Sequence, residues 1–181
     1  MVVDGTDFQC HELVRLNKEQ KRKWYSHKFN SAGLKYEVAT CIATGDIVHY
    51  LGPFRGAVHD LTIFRFHLKR CLRPGERVIA DRGYRGDRKI VTPYDYDCLS
   101  KQHYRAMSVL RARHETMNGR LKIFGCMAES WRHALSDHHR GFRACLCIAQ
   151  LMHKYGTAGM FDVSGYDHPV DDDFRSLASY D

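Results

Sequence analysis

The chain has 181 residues, 44% hydrophobic and 12% aromatic, which is enough for one well-buried core and short for two. Its 28 lysines and arginines against 21 acidic residues give a formal net charge of +7; that favours a polyanionic partner, nucleic acid first, with a solvated basic face as the competing reading. Seven scattered cysteines without a Cys-x-x-Cys spacing argue against a disulfide framework or a zinc finger, and the longest apolar run, over 144–152, falls far below the ~20 residues of a membrane span, so a soluble intracellular protein is expected.

Residues 2–10 suit a short strand interrupted at Gly5, and a loop rich in Lys and Arg follows over 15–35. A second strand over 35–43, turn residues Thr44, Gly45 and Asp46, and an apolar run over 47–51 predict an antiparallel hairpin that Gly52 and Pro53 end. Over 60–72, Leu61, Ile63, Phe64, Leu68 and Leu72 have helix-like spacing, stopped by Pro74 and Gly75. RVIAD, at 77–81, reads as a strand ending on a carboxylate, residues 90–93 as another strand, and 99–124 as the longest helix. A last helix over 136–155 has Ser136 or Asp137 as cap and Gly156 as stop. From Thr157 onward Gly, Ser and Asp accumulate, including Asp171, Asp172 and Asp173, which predicts a poorly ordered acidic tail over 157–181.

Three carboxylates stand out by position: Asp4 on the first strand, Asp81 at the end of RVIAD, and Glu115 in the long helix. A carboxylate at the end of an apolar strand is held rigidly at a sheet edge, where ligands of open sheets collect. In the long helix Met107, Leu110, His114, Met117, Leu121 and Phe124 form the core-facing stripe, and Glu115 shares the neighbouring flank with Arg111, Asn118 and Lys122. That flank suits a metal and a phosphate together, because hard cations such as Mg²⁺ and Mn²⁺ prefer carboxylates. Each carboxylate also has a plainer role. Glu115 and Arg111 fit a helical ion pair, Asp81 fits the start of a turn over 81–84, and Asp4 fits a bond to its own backbone before Gly5.

VDGTD (3–7), WYSHKF (24–29), GAVHDLTIF (56–64), IADRGYRG (79–86), RARHETMNGRLKIFG (111–125) and FRACLCIAQL (142–151) occur in one order along the chain. Together they resemble the DDE superfamily endonucleases, in particular the catalytic domain of Harbinger-type transposases, and the resemblance runs nearly end to end. It implies an α/β, ribonuclease H-like mixed sheet flanked by helices over 1–156. It also implies a catalytic and metal-binding triad of Asp4, Asp81 and Glu115 holding Mg²⁺ or Mn²⁺, as two ions, and cleavage of DNA phosphodiesters, with joining as an extension of the same chemistry. The reaction expected is in-line attack of water, or later of a strand's 3′ hydroxyl, on a DNA phosphate. Asp60 and Asn118 are candidates for support. Asp60 also fits the cap of the helix that follows it, and that is the preferred reading; Tyr84 is expected to pack or to contact phosphate.

DNA contact is expected from Lys21, Arg22, Lys23 and Lys28, with Trp24 and Tyr25 alongside, and from Arg111, Arg113, Arg120 and Lys122 beside Glu115. Only Met1, Val2 and Val3 precede Asp4, where transposases of this type carry a DNA-binding region, so a truncated domain working as a homo-oligomer or with a separate DNA-binding protein is expected. DNA as substrate suggests the nucleus. The competing readings are a domesticated, catalytically inactive DNA-binding protein and, least favoured, a zinc module built from Cys126, His133, His138, His139, Cys145 or Cys147.

Overall fold

The structure is a computed structural model, and it describes residues 1–11, 16–92 and 101–156. The expected acidic tail over 157–181, the last residue of the strand expected over 90–93 and the start of the long helix at 99 lie outside those residues, as does the side chain of Arg113.

Alternation of buried and half-buried residues carries β1 (Val2–Gln9) into the centre of the sheet. β3 (Ser31–Thr40) pairs with it antiparallel along its whole length, in a register that sets Asp4 opposite Val38 and Gly5 opposite Glu37. β5 (Val78–Ile79) joins the other side of β1 in parallel, and β6 (Ile90–Val91) extends the sheet beyond it, again in parallel. β4 (Ile47–Arg55) pairs with β3 as the expected hairpin, and β2 (Tyr25–Ser26) pairs with the start of β3. An antiparallel hairpin on one side of β1 and parallel strands on the other make a mixed sheet flanked by helices, the ribonuclease H-like arrangement.

Each face of the sheet has its own core. On one, Phe8, Leu34, Tyr36 and Val38 pack against Met117 and Leu121 of α4 (Lys101–Leu121), Met127 of α5 (Gly125–Ala128), and Phe142, Cys145 and Leu146 of α6 (Leu135–Tyr155). The Tyr36 and Phe142 rings stack at 3.8 Å, with Phe8 edge-on to both at 5.8 and 5.6 Å, each such pair adding about 0.5–1.5 kcal/mol beyond its burial. On the other face Val3, Ala39 and Ala80 pack against Phe64 of α2 (Asp60–Phe66) and Leu68 of α3 (Leu68–Cys71).

Several local expectations need correction. β1 runs through Gly5 without a break. The segment expected as a loop over 15–35 contains α1 (Lys18–Trp24), started by a reciprocal Asn17–Gln20 capping box, and then β2. Gly52 and Pro53 do not end β4. Gly52 takes a positive φ of 146° where a Cβ would meet the Tyr36 ring, and the strand passes it with a register shift on to Arg55. The helix over 60–72 is divided at His67, whose backbone leaves the helical region and whose ring stacks on His49 at 5.4 Å. RVIAD contributes only Val78 and Ile79 to the sheet. Phe124 lies past the end of α4, and α6 starts from Ala134 without a side-chain cap, so neither Ser136 nor Asp137 caps it.

Candidate active site

Asp4 points from the central strand toward α4. One carboxylate oxygen accepts the Gly5 N–H at 2.8 Å, the local bond its sequence position suggests, and the other accepts from Asn118 Nδ2 at 3.4 Å. The same Asn118 nitrogen lies 3.2 Å from Nδ1 of His114, whose Nε2 lies 2.9 Å from the carbonyl oxygen of Val38. With Nε2–H donating to that carbonyl, Nδ1 is the acceptor, and the Asn118 amide has one hydrogen for the histidine and one for Asp4. His114 is buried and its pKa is lowered by that burial, so the neutral ring the chain of bonds requires is also the form the core favours. One turn of α4 therefore ties the backbone of β3 to the Asp4 carboxylate.

Burial, then the negative charge of Asp81, pushes Asp4 up to about 7. Asp81 follows β5 by two residues and turns its Oδ1 back to the Gly83 N–H at 2.8 Å, capping the 3₁₀ turn Arg82–Tyr84. The turn reading and the site reading are thus compatible, because the cap occupies one oxygen and fixes the direction of the other.

Asp60 completes this edge from the opposite face of the sheet. The cap of α2 is His59, whose Nδ1 accepts the Leu61 N–H at 3.3 Å, so Asp60 is not the cap that the sequence favoured. Its carboxylate lies against two glycines instead. A Cβ on Gly5 would stand 2.6 Å from Asp60 Oδ1, and one on Gly83 3.2 Å from Oδ2. Lys35 holds it there, with Nζ 3.0 Å from Asp60 Oδ1, 3.1 Å from the Val58 carbonyl and 4.0 Å from Asp7. Lys35, Gly5 and Gly83 were not legible as site residues, since their role depends on contacts between distant segments. Tyr84 is fully buried in the core beneath, where it packs and is shielded from phosphate.

Asp4, Asp81 and Glu115 line one cleft of about 70 Å³, with Arg111 and His114 in its wall. Glu115 is exposed. Among the described residues, no three His, Cys, Asp or Glu side chains converge tightly enough to form a ligand shell by themselves. Among the described residues the histidines and cysteines of the zinc reading do not gather either: His138 bonds the Tyr36 hydroxyl at 2.9 Å, and the Cys126 and Cys145 sulfurs lie 3.7 Å apart. Of the residues expected at DNA, Lys28 and Lys122 are neighbours that both feel Asp4, while Lys122 Nζ stands 5.6 Å over the Phe8 ring. Lys21 and Arg22 lie on exposed α1, and Lys23 pairs with Glu19 at 3.6 Å. Arg120 is half-buried near the end of α4.

The model of the DDE superfamily endonuclease family matches residues 3–150, a span that starts one residue before Asp4 and ends within α6. A probable transposase for insertion sequence element IS702 from Microchaete diplosiphon is 30% identical over 138 residues, which is 69% of this chain and 47% of that protein. The chain thus spans about half the length of this curated relative. No solved structure matches the chain.

Proposed function

The chain belongs to the DDE superfamily endonucleases, and we propose from that membership that it cuts DNA phosphodiesters at the cleft formed by Asp4, Asp81 and Glu115. The observation that carries the reading is that these three side chains, from a central strand, the turn after a short strand and a helix, line one cleft. The donor set fits Mg²⁺ or Mn²⁺. All three are oxygen ligands, the half-buried Asp4 carboxylate faces the like charge of Asp81, which a shared cation would relieve, and a hard cation that keeps much of its water needs only one or two protein carboxylates. Asp4 and Asp81 would hold such ions, with Glu115 reaching in from the helix; when bound, one or two ions supply polarisation of the phosphoryl oxygens and neutralise developing charge.

The chain's own groups do the positioning. The Gly5 amide and Asn118 orient Asp4, Asp81 is fixed by the Gly83 amide, and Lys28 and Lys122 offer cations beside Asp4 for the strand's phosphates. Among the described residues no helix is long and apolar enough to cross a membrane. Joining of strands, a nuclear location, and a homo-oligomer or DNA-binding partner are proposals separate from the cutting itself.

The test is nicking of supercoiled plasmid by purified protein with Mg²⁺ or Mn²⁺, comparing wild type, Asp81→Asn, Glu115→Gln and an EDTA control. Cutting that requires the cation and both carboxylates supports the nuclease. Cation-independent cutting, or cutting by Asp81→Asn at the wild-type rate, overturns the assignment. A folded protein that binds DNA and never cuts it favours the domesticated reading.

A further inference from the structure

Beside β2, away from the carboxylate cleft, a pocket of about 230 Å³ is lined by Lys18, Lys21, Arg22, Trp24, Tyr25 and Asn30. It is smaller than the ~300–1,000 Å³ of drug-sized ligand sites. Its aromatic wall comes from the junction of α1 and β2, and its cations come from the exposed side of α1. The Trp24 ring packs against the main core and carries the Arg55 guanidinium 5.4 Å from its centroid. The Tyr25 hydroxyl donates to Asn30 Oδ1 at 3.0 Å, which closes the turn between them. Asn30 itself sits at a positive φ of 52°, and its amide nitrogen remains a donor for a base edge.

An apolar, aromatic recess of this size edged by three cations has complementary features for one flat ring carrying a phosphate. A base in an intact duplex is covered on both faces by its neighbours, and only an unpaired nucleotide can enter such a recess. Lys28 lies on the turn between Tyr25 and Asn30. It links the pocket to the cleft, since its charge bears on Asp4.

We propose that this pocket binds one unpaired nucleotide of the DNA strand whose neighbouring phosphates cross Lys28 to the carboxylate cleft, the base stacking against Trp24 and Tyr25 and its phosphate meeting the cations of α1. This site rests on the nuclease reading and refines it. It makes the protein prefer frayed or single-stranded ends over continuous duplex.

Fluorescence anisotropy tests it, in EDTA so that nothing is cut, with a short blunt duplex and the same duplex bearing a single-stranded 3′ overhang. The wild type is expected to bind the overhang about tenfold more tightly, the size of one base-stacking contact. Trp24→Leu, which keeps apolar packing, and Tyr25→Ala, at an exposed position, should each erase that preference while blunt-duplex affinity stays within about twofold. Equal wild-type affinity for both ligands overturns the pocket and leaves the DNA reading standing. So does an equal loss on both ligands in the two variants, with circular dichroism confirming their fold. A wild type that binds neither ligand overturns the DNA reading and the pocket with it.

Discussion

A methyl group added at Gly5 would stand 2.6 Å from Asp60 Oδ1, closer than non-bonded heavy atoms tolerate. Gly5→Ala is therefore expected to displace Asp60 from Lys35 and to cost about 1–3 kcal/mol, read from urea unfolding. In an Asp60→Ala background the same substitution meets a short side chain and should cost at least about 1 kcal/mol less; additive costs would show that Gly5 is needed for another reason. Asn118 is tested differently. If it holds Asp4 through the His114 bond chain, Asn118→Ala should lower plasmid nicking about 10- to 100-fold with little change in DNA affinity, and Asn118→Ser, which keeps a short donor, should recover part of it. Loss of DNA binding in step with nicking would make Asn118 a structural residue only. The placement of the acidic residues near a strand end and on a helix flank was legible, and the resemblance singled them out, but what holds Asp4 was not legible: hydrogen bonds between α4, β1 and β3 join residues 76 and 114 positions apart.

At the scale of elements, the seating of α6 on the sheet depends on a neutral histidine. His138 is fully buried between Tyr36, Phe8 and Trp131, and burial, then the neighbouring charge of His139, lowers its pKa to about 4. The unfolded chain takes up this proton near pH 6.5 and the folded protein only near 4. The unfolded state thus binds more protons across that window, so this contribution is fully present above pH 6.5 and is lost as pH falls through it. The loss reaches about 3 kcal/mol below pH 4. The difference in unfolding free energy between wild type and His138→Phe is expected to change by that order between pH 7 and pH 4, and a flat difference would mean that the ring already carries its proton when folded. The apolar stripe of α4 was readable because Met107, Leu110, His114, Met117 and Leu121 keep helical spacing and are all buried. By contrast α1 buries no residue, so periodicity had nothing to report there. Its Asn17–Gln20 capping box was the available signal, hidden among seven basic residues over 15–35.

Across the whole molecule the order of the longer strands and helices was legible, because strand, hairpin and helix periods are local, whereas the short α1, β2 and α5 were not; the short parallel strands β5 and β6 were legible mainly through their apolar residues. The basic surface resolves differently. Net charge +7 says that anions are welcome but not where, and the fold is what brings Lys28 from the turn after β2 to Lys122 beyond α4, beside Asp4. Burial, then the charge of Lys28, pulls Lys122 down to about 8. Two ammonium groups that close repel each other, and a phosphate placed between them relieves that repulsion. Each is expected to contribute one contact to the phosphate backbone, so Lys28→Gln and Lys122→Gln should each reduce the slope of log affinity against log salt by about one. Lys23→Gln, exposed and already paired with Glu19, should change it less. Because Lys122 must be protonated to pair with phosphate, the affinity difference between wild type and Lys122→Gln should shrink as pH rises through 8. Anisotropy titrations at several salt concentrations and two pH values decide this, and slopes unchanged by both substitutions would place the DNA on another face of the molecule.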